Sequence, residues 1–243
     1  MFNILYFIIF YLYFMWLLPL FIILMRPFSK LLGIEIDGQL MNKIFYKVLS
    51  IKQEFIKKEN LIEKGFIFSN HRCWADFAID NYTMESSPLG RYLAFIMMGF
   101  GTVNGMIDNR CIMFARGKAN RKYIYDLCKK NMEKEGYYNK RTLLYPEGTR
   151  MNYKILESKE DIKSKLKMGL INEIYQRNEF PIQLIITSNK ENVLNEKKLT
   201  LKRDVTIKSA ISKSIHPKDF DCFDNFVDKI CQEWFHLWNL THC

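Results

Sequence analysis

Residues 1–25 carry no charged side chain, and the rest of the chain lacks most patterns that mark a familiar chemistry. The six cysteines contain no C-x-x-C pair and are spaced at long, irregular intervals. A 243-residue chain does not need disulfide staples, so they read as reduced thiols in a cytosol-like compartment. The four histidines, His71, His216, His236 and His242, include no H-x-x-x-H or H-E-x-x-H spacing, which argues against a zinc site. No G-x-S-x-G is present, which argues against a serine-nucleophile hydrolase. Internal repeats, low-complexity tracts and a long Pro/Gly/Ser linker are also missing, so one domain is expected after the N-terminal run. Nucleic-acid motifs are absent, and aromatics concentrate in the N-terminal run instead of alternating with basic residues.

What is present begins with that run, MFNILYFIIFYLYFMWLLPLFIILM. As a helix it would be roughly 37 Å long, more than the roughly 30 Å apolar core of a bilayer. A signal peptide would place basic residues before a shorter apolar stretch and small residues after it. Here Arg26 and Lys30 follow the run instead, which predicts a cytosolic catalytic domain, on an endoplasmic-reticulum-type membrane if the cell is eukaryotic. Pro19 leaves two geometries open, a full span or a shallow hairpin in one leaflet. The whole formal charge of +10 lies beyond residue 25. Such a surface suits anionic partners such as acidic lipid or phosphorylated small molecules, or is simply a solvated basic surface.

The expected organisation is an anchor over 1–25, interfacial or linking helices over 26–60, and a catalytic domain over 61–243. Leu31 to Leu49 mixes apolar residues with Lys43 and Lys47, as an interfacial helix or an ordinary packed one would. Strands are expected at Gly65–Ser69, Thr142–Tyr145, Ile182–Thr187 and Val205–Ile211. Helices are expected at Asp76–Tyr82, Lys118–Met132 and Phe223–Leu240, while Tyr92–Phe100 fits either state. Strands separated by helices indicate an α/β fold, a central, mostly parallel sheet covered by helices. Phe226, Ile230, Trp234 and Leu237 recur at helical spacing and read as core. The basic face of Lys118 to Lys130 suits the phosphates of a small molecule, anionic lipid or plain solvation.

Two blocks carry chemistry. In Ser69-Asn70-His71-Arg72-Cys73-Trp74-Ala75-Asp76, an imidazole and a carboxylate lie five residues apart. A neutral imidazole can take a hydroxyl proton while the oxygen attacks, and Asp76 on its other nitrogen would hold the tautomer and stabilise the imidazolium. In continuous helix the two side chains would diverge by about 140°. His71 must therefore precede the helix, with Asp76 in its first turn. The second block, Leu143-Leu144-Tyr145-Pro146-Glu147-Gly148-Thr149-Arg150, is a strand stopped by proline and followed by an acid, a glycine, a hydroxyl and a base. Gly148 permits a positive φ or a close approach, and Arg150 can grip a phosphate with two bonds. Either block alone also reads as a polar pair or a surface turn.

Taken together, Asn70-His71-Arg72-x-x-x-Asp76 and Pro146-Glu147-Gly148-Thr149-Arg150 resemble the glycerophospholipid acyltransferase family, especially its 1-acylglycerol-3-phosphate (lysophosphatidic acid) acyltransferases. Phe114-Ala115-Arg116, Lys167-Met168-Gly169 and Phe180-Pro181-Ile182 fit further blocks of that family, over about residues 65–215 in all. The resemblance implies His71 as general base with Asp76 as its partner, without an acyl-enzyme. It implies an acceptor site from Asn70, Arg116, Glu147, Gly148, Thr149 and Arg150, with Arg72, Arg110, Lys167 and Pro181 as further candidates. It also implies acyl-CoA as co-substrate, no bound cofactor or metal, a lysophospholipid acceptor, a membrane-embedded N-terminal helical element and no nucleic-acid partner. Departures are Tyr145 for a usual Phe, Met151 for a common Ser, and no Ile-Asp before Arg116. Ile107-Asp108-Asn109-Arg110 therefore competes as the middle block. Glu-Gly-Thr-Arg favours lysophosphatidic acid, with lysocardiolipin or another lysophospholipid as alternatives, and a catalytically silent, membrane-anchored lipid-binding protein as a different class.

Overall fold

The computed structural model describes residues 2–242 except 35, 37–38, 109, 116–119, 135–139 and 152–155. Its first element is a continuous helix made of α1 (Phe2–Leu12), a π turn (Tyr13–Leu17) and α2 (Leu18–Leu31). Pro19 does not break it. A proline here cannot donate to the carbonyl of Met15 and would clash with it, and the widened turn absorbs the mismatch. Phe7, Phe10, Phe14, Leu18 and Ile22 form one buried stripe of the helix. Phe10 and Phe14 meet the ring of Phe45 at 6.0 and 5.0 Å in edge-on geometry. The other sides leave Leu5, Ile9, Leu17, Phe21 and Leu24 more than half exposed. From Ile4 to Leu31 the helix is long and apolar enough to cross a bilayer, although a third of its most apolar window is buried against the protein.

After α3 (Leu40–Leu49) come β1 (Lys52–Lys57), β2 (Gly65–Ser69), α4 (Asp76–Met84), β3 (Ser87–Arg91), α5 (Tyr92–Met97), α6 (Phe100–Ile107) and β4 (Ile112–Phe114). Then follow α7 (Arg121–Met132), β5 (Arg141–Leu144), α8 (Lys159–Lys165), α9 (Met168–Arg177), β6 (Ile182–Thr187) and α10 (Lys190–Val193). A small antiparallel pair, β7 (Leu194–Asn195) with β8 (Thr200–Leu201), precedes β9 (Thr206–Ile211) and the closing α11 (Phe223–His242). Seven strands form one sheet in the order β1-β9-β6-β2-β5-β3-β4. All adjacent pairs are parallel except β6 with β9. This is the expected α/β class with a mostly parallel sheet.

Alternation along the central strands builds two cores. Phe66, Phe68, Leu144 and Leu184 face Tyr125 of α7, Ile171 and Ile174 of α9, and Trp234 of α11. Ile67, Leu143 and Ile185 point the other way, toward Met84 of α4. Both faces of β2 are therefore covered, which is why all five of its residues are buried and its sequence reads as a continuous apolar run. The stripe at Phe226, Ile230, Trp234 and Leu237 is core, each residue fully buried.

Four elements differ from the sequence expectation. The span 26–60, read as linking helices, contains β1, which pairs with β9 as a sheet edge. Its sequence, KQEFIK, is mostly exposed and charged, as an edge strand can be, so it has no apolar signature. The helix expected from Leu31 to Leu49 begins only at Leu40. The short strands β3 and β4 escaped because Ser87-Pro88-Leu89-Gly90-Arg91 reads as a turn; tertiary pairing outweighs local preference there.

Gly65 opens β2 at φ +151°, and an added Cβ would lie 2.5 Å from the Pro181 carbonyl oxygen and 2.9 Å from Ile62 Cδ1. Gly65→Ala is expected to destabilise by roughly 1–3 kcal/mol, a fall in Tm of roughly 3–10 °C by thermal unfolding in detergent. An unchanged Tm would show that the strand entry is not pressed against Pro181.

Candidate active site

The carboxyl ends of β2, β5 and β6 lead into three segments that meet. Ligands of open α/β sheets gather outside these ends. His71 follows β2, Pro146 to Arg150 follow β5, and Lys190 follows β6. His71 precedes α4 and Asp76 opens it, the geometry the five-residue spacing requires. His71 Nδ1 and Asp76 Oδ2 are 2.8 Å apart. The same carboxyl oxygen accepts the backbone N–H of Arg72, and that of Cys73 at 3.0 Å. Cys73 Sγ donates to Asp76 Oδ1 at 3.3 Å.

Asp76 is fully buried. Burial raises its carboxyl, but the Lys190 ammonium, His71 and the backbone N–H of Arg72 outweigh that, and the net direction is below the usual carboxylate range. The imidazole is stacked on Tyr145, with centroids 4.4 Å apart, and meets Phe77 edge-on at 5.9 Å. Its side chain is 14% exposed, at the wall of a cleft of 760 Å³. With Nδ1 engaged by Asp76, Nε2 is the nitrogen left for a substrate. Apolar walls come from Trp74, Phe77, Leu93, Met97 and Phe114, and positive charge comes from Arg91, Arg121, Arg150 and Lys167.

Glu147 joins the two motif loops. It is fully buried, and Oε2 accepts the backbone N–H of His71 at 2.6 Å. The N–H of Met151 donates to the His71 carbonyl at 2.9 Å, so the loops hold each other on both sides of the imidazole. Gly148 has φ +70°, and an added Cβ would sit 3.1 Å from Lys167 Cγ. The N–H of Lys167 in turn donates to the Pro146 carbonyl at 2.7 Å.

The remaining expected residues divide. Gly148, Thr149, Arg150 and Lys167 line the cleft with His71. Arg150 pairs there with Glu196 and lies over the Trp74 ring at 5.6 Å. Asn70 turns away, exchanging bonds of 2.9 and 3.0 Å with the Thr187 backbone, which locks the end of β2 to β6. Arg72 is buried between the Met151 carbonyl at 3.0 Å and Glu191 at 3.3 Å. Pro181 immediately precedes β6, its carbonyl accepting from Phe66 at 3.0 Å. Arg110 is buried, donates to Asn81, and lines a separate 90 Å³ cavity beneath the N-terminal helix. Arg116 lies outside the described residues.

Sequence reading missed Asp80, Lys190 and the Tyr145 hydroxyl. Lys190 Nζ lies 2.8 Å from Asp80 Oδ2 and 3.8 Å from Asp76 Oδ1, with all three side chains fully buried. Ser69 Oγ and the Tyr145 hydroxyl also donate to Asp80 Oδ2, at 2.8 and 3.1 Å. In Thr187-Ser188-Asn189-Lys190-Glu191-Asn192 a lysine reads as a solvated turn residue. Only Asn189 hinted otherwise: its left-handed backbone, φ 64°, turns the chain back at the end of β6.

No protein-family model and no curated protein matches the sequence. Among solved structures, the fold is similar to the crystal structure of the 1-acyl-sn-glycerophosphate (LPA) acyltransferase PlsC from Thermotoga maritima. The TM-score is 0.61, with 15% identity, over 97% of this chain and 96% of that chain. At such low identity, near-complete coverage of both chains establishes a shared fold: the mostly parallel α/β sheet together with its N-terminal apolar helix.

Proposed function

We propose that this protein is a membrane-associated acyltransferase that moves an acyl group from acyl-CoA to the free hydroxyl of a lysophospholipid, with lysophosphatidic acid as acceptor and phosphatidic acid as product. The observation that carries the reading is the 2.8 Å contact between His71 and Asp76 at the wall of a cleft that is apolar on some sides and lined by cations. The shared fold with a protein titled an LPA acyltransferase supports the reaction class.

Nε2 of His71 takes the acceptor's hydroxyl proton as that oxygen bonds to the thioester carbonyl carbon. Asp76 holds the ring through Nδ1 and stabilises the imidazolium that results. Collapse breaks the carbon–sulfur bond. The imidazolium proton goes to the departing thiolate, giving the ester, free CoA thiol and neutral His71. No covalent acyl-enzyme is needed. The acceptor's phosphate suits Arg150, which would exchange its pairing with Glu196 for the phosphate, and Lys167.

Membrane association draws support from a continuous apolar surface. Beside the N-terminal helix, α5 and α6 expose Leu93, Ile96, Val103 and Met106. Arg26 ties α2 to α6 through Asp108 at 2.7 Å and Asn104 at 2.8 Å. Such exposed apolar residues suit contact with lipid.

His71→Ala is expected to lower acyl transfer by roughly 10²–10⁴-fold, measured as labelled phosphatidic acid formed from acyl-CoA and lysophosphatidic acid in isolated membranes. Undiminished transfer would remove the catalytic assignment. Arg150→Ala is expected to raise the KM for lysophosphatidic acid by roughly tenfold or more, the loss of one charge-assisted phosphate contact. The KM for a lysolipid lacking a terminal phosphate should hardly change. An equal rise for both acceptors would show that Arg150 does not read the phosphate.

A further inference from the structure

Lys190 has no part in the reaction as written, yet it is fully buried beside the catalytic pair. An isolated ammonium is costly to bury, so its surroundings must compensate. Besides Asp80 and Asp76, Nζ donates to the Asn70 carbonyl at 2.6 Å and to Ser69 Oγ at 3.3 Å. Asp80 reaches His71 by a second route. Its Oδ2 accepts the Tyr145 hydroxyl, and the Tyr145 ring is stacked on the imidazole.

We propose that Lys190 is the charge-setting positioning residue of this site: it holds Asp76 and Asp80 together as an ionised cluster with one unbalanced negative charge facing His71, and through Asp80 it fixes the Tyr145 ring against the imidazole. Two carboxylates without a cation could not both stay ionised in this interior. Burial, with the Asp76 charge, leaves the Asp80 carboxyl above its ordinary value even against the opposing Lys190 ammonium, so that one ammonium is what keeps the cluster charged, and its remaining negative charge is neutralised when His71 takes the acceptor's proton. The stabilisation is therefore larger in the transition state than in the resting enzyme, which is the form that accelerates a reaction. The kinetic consequence rests on the acyl-transfer reading above; the charge arrangement does not.

The titratable and charged groups around His71 come from several elements. Asp76 and Asp80 come from α4, Tyr145 and Glu147 from the strand end and loop after β5, Arg72 and Cys73 from its own loop, and Lys190 from α10. Across the cleft lie Arg91, Arg121, Arg150 and Lys167. The cleft cations are retained in every variant below, so they shift all profiles alike.

Asp80→Asn keeps the shape and removes one negative charge, so the imidazolium loses stabilisation. The acid limb of kcat/KM, and the His71 titration followed by NMR on histidine-labelled full-length protein in micelles, should both move down by about one pH unit. The double substitution Asp80→Asn with Lys190→Met restores the single negative charge on Asp76, and both readouts should return to within roughly a third of a unit of the wild type. Loss of mere packing would make the double variant worse than the single one and would leave the titration where it was. A wild-type-like titration in Asp80→Asn, or no return in the double variant, overturns the inference. If neither variant folds, the ¹⁵Nζ shift of Lys190 in the wild-type protein decides: an ammonium persisting to about pH 10 supports the cluster and a neutral amine sinks it. Should the titrations behave as expected while the wild type transfers no acyl group, the functional reading fails and the charge arrangement stands.

Discussion

A carboxylate with no access to water organises this structure. Asp76 gives up hydration entirely, and such burial is tolerated only where donors replace what water supplied. The donors are the His71 ring, the backbone of Arg72 and Cys73, and the Cys73 thiol, and the Lys190 ammonium adds its charge at 3.8 Å. Position at the first residue of α4 adds the favourable end of the helix dipole. Satisfying this one group therefore shapes the loop after β2, starts the next helix at a defined residue and draws in the segment after β6. The tautomer of His71 follows, because an ionised Asp76 accepts and so requires the proton on Nδ1.

The second motif acts on the same point by a different route. Glu147 spends its buried carboxyl on the backbone N–H of His71, and Met151 spends its N–H on the carbonyl of that residue. Two loops far apart in sequence are joined by backbone hydrogen bonds that do not depend on which side chain occupies position 71. Imidazole placement then rests on backbone geometry, and the stacked Tyr145 ring removes the remaining freedom of the ring plane. Gly148, Thr149 and Arg150 of the same turn face the cleft, joined there by Lys167 from the start of α9. Groups that hold the imidazole and groups that line the cleft thus alternate along the short loop after β5.

What could be read in advance follows the same division. Strands covered on both faces, such as Gly65–Ser69 and Ile182–Thr187, are continuous apolar runs, and the sequence reading placed both with the observed bounds. Edge pieces were illegible: Lys52–Lys57 is half-charged because one side of an edge strand faces water. At the site, the spacing between His71 and Asp76 could be worked out because it is local and sterically demanding. Lys190 could not, since nothing in a polar stretch after a strand tells an inward lysine from an outward one; its neighbours lie 110 residues and more away. Nor does the sequence show that Asn70, expected at the acceptor, and Arg72, a further candidate, use polar atoms to tie strand ends and loops.

The N-terminal helix bears on the chemistry through position. Its buried aromatic stripe is continuous with the core that contains Cys73 and Ala75, two of the four residues between His71 and Asp76. Trp74, in the same loop, lies 6.0 Å from the Tyr11 ring and also lines the cleft. A helix that seeks an apolar phase is thus packed directly behind the loop that carries the base. A lysophospholipid has the matching asymmetry: its chain is stable only in apolar surroundings and its anionic head only in polar ones. Leu93 and Met97 of α5 belong both to the cleft and to the exposed apolar surface, so under the proposed reaction the hydroxyl between chain and head would reach His71 without the whole lipid leaving the interface. Removing a single acyl chain from a bilayer costs about 0.8 kcal/mol per methylene, so avoiding that extraction is worth more than any one contact inside the site.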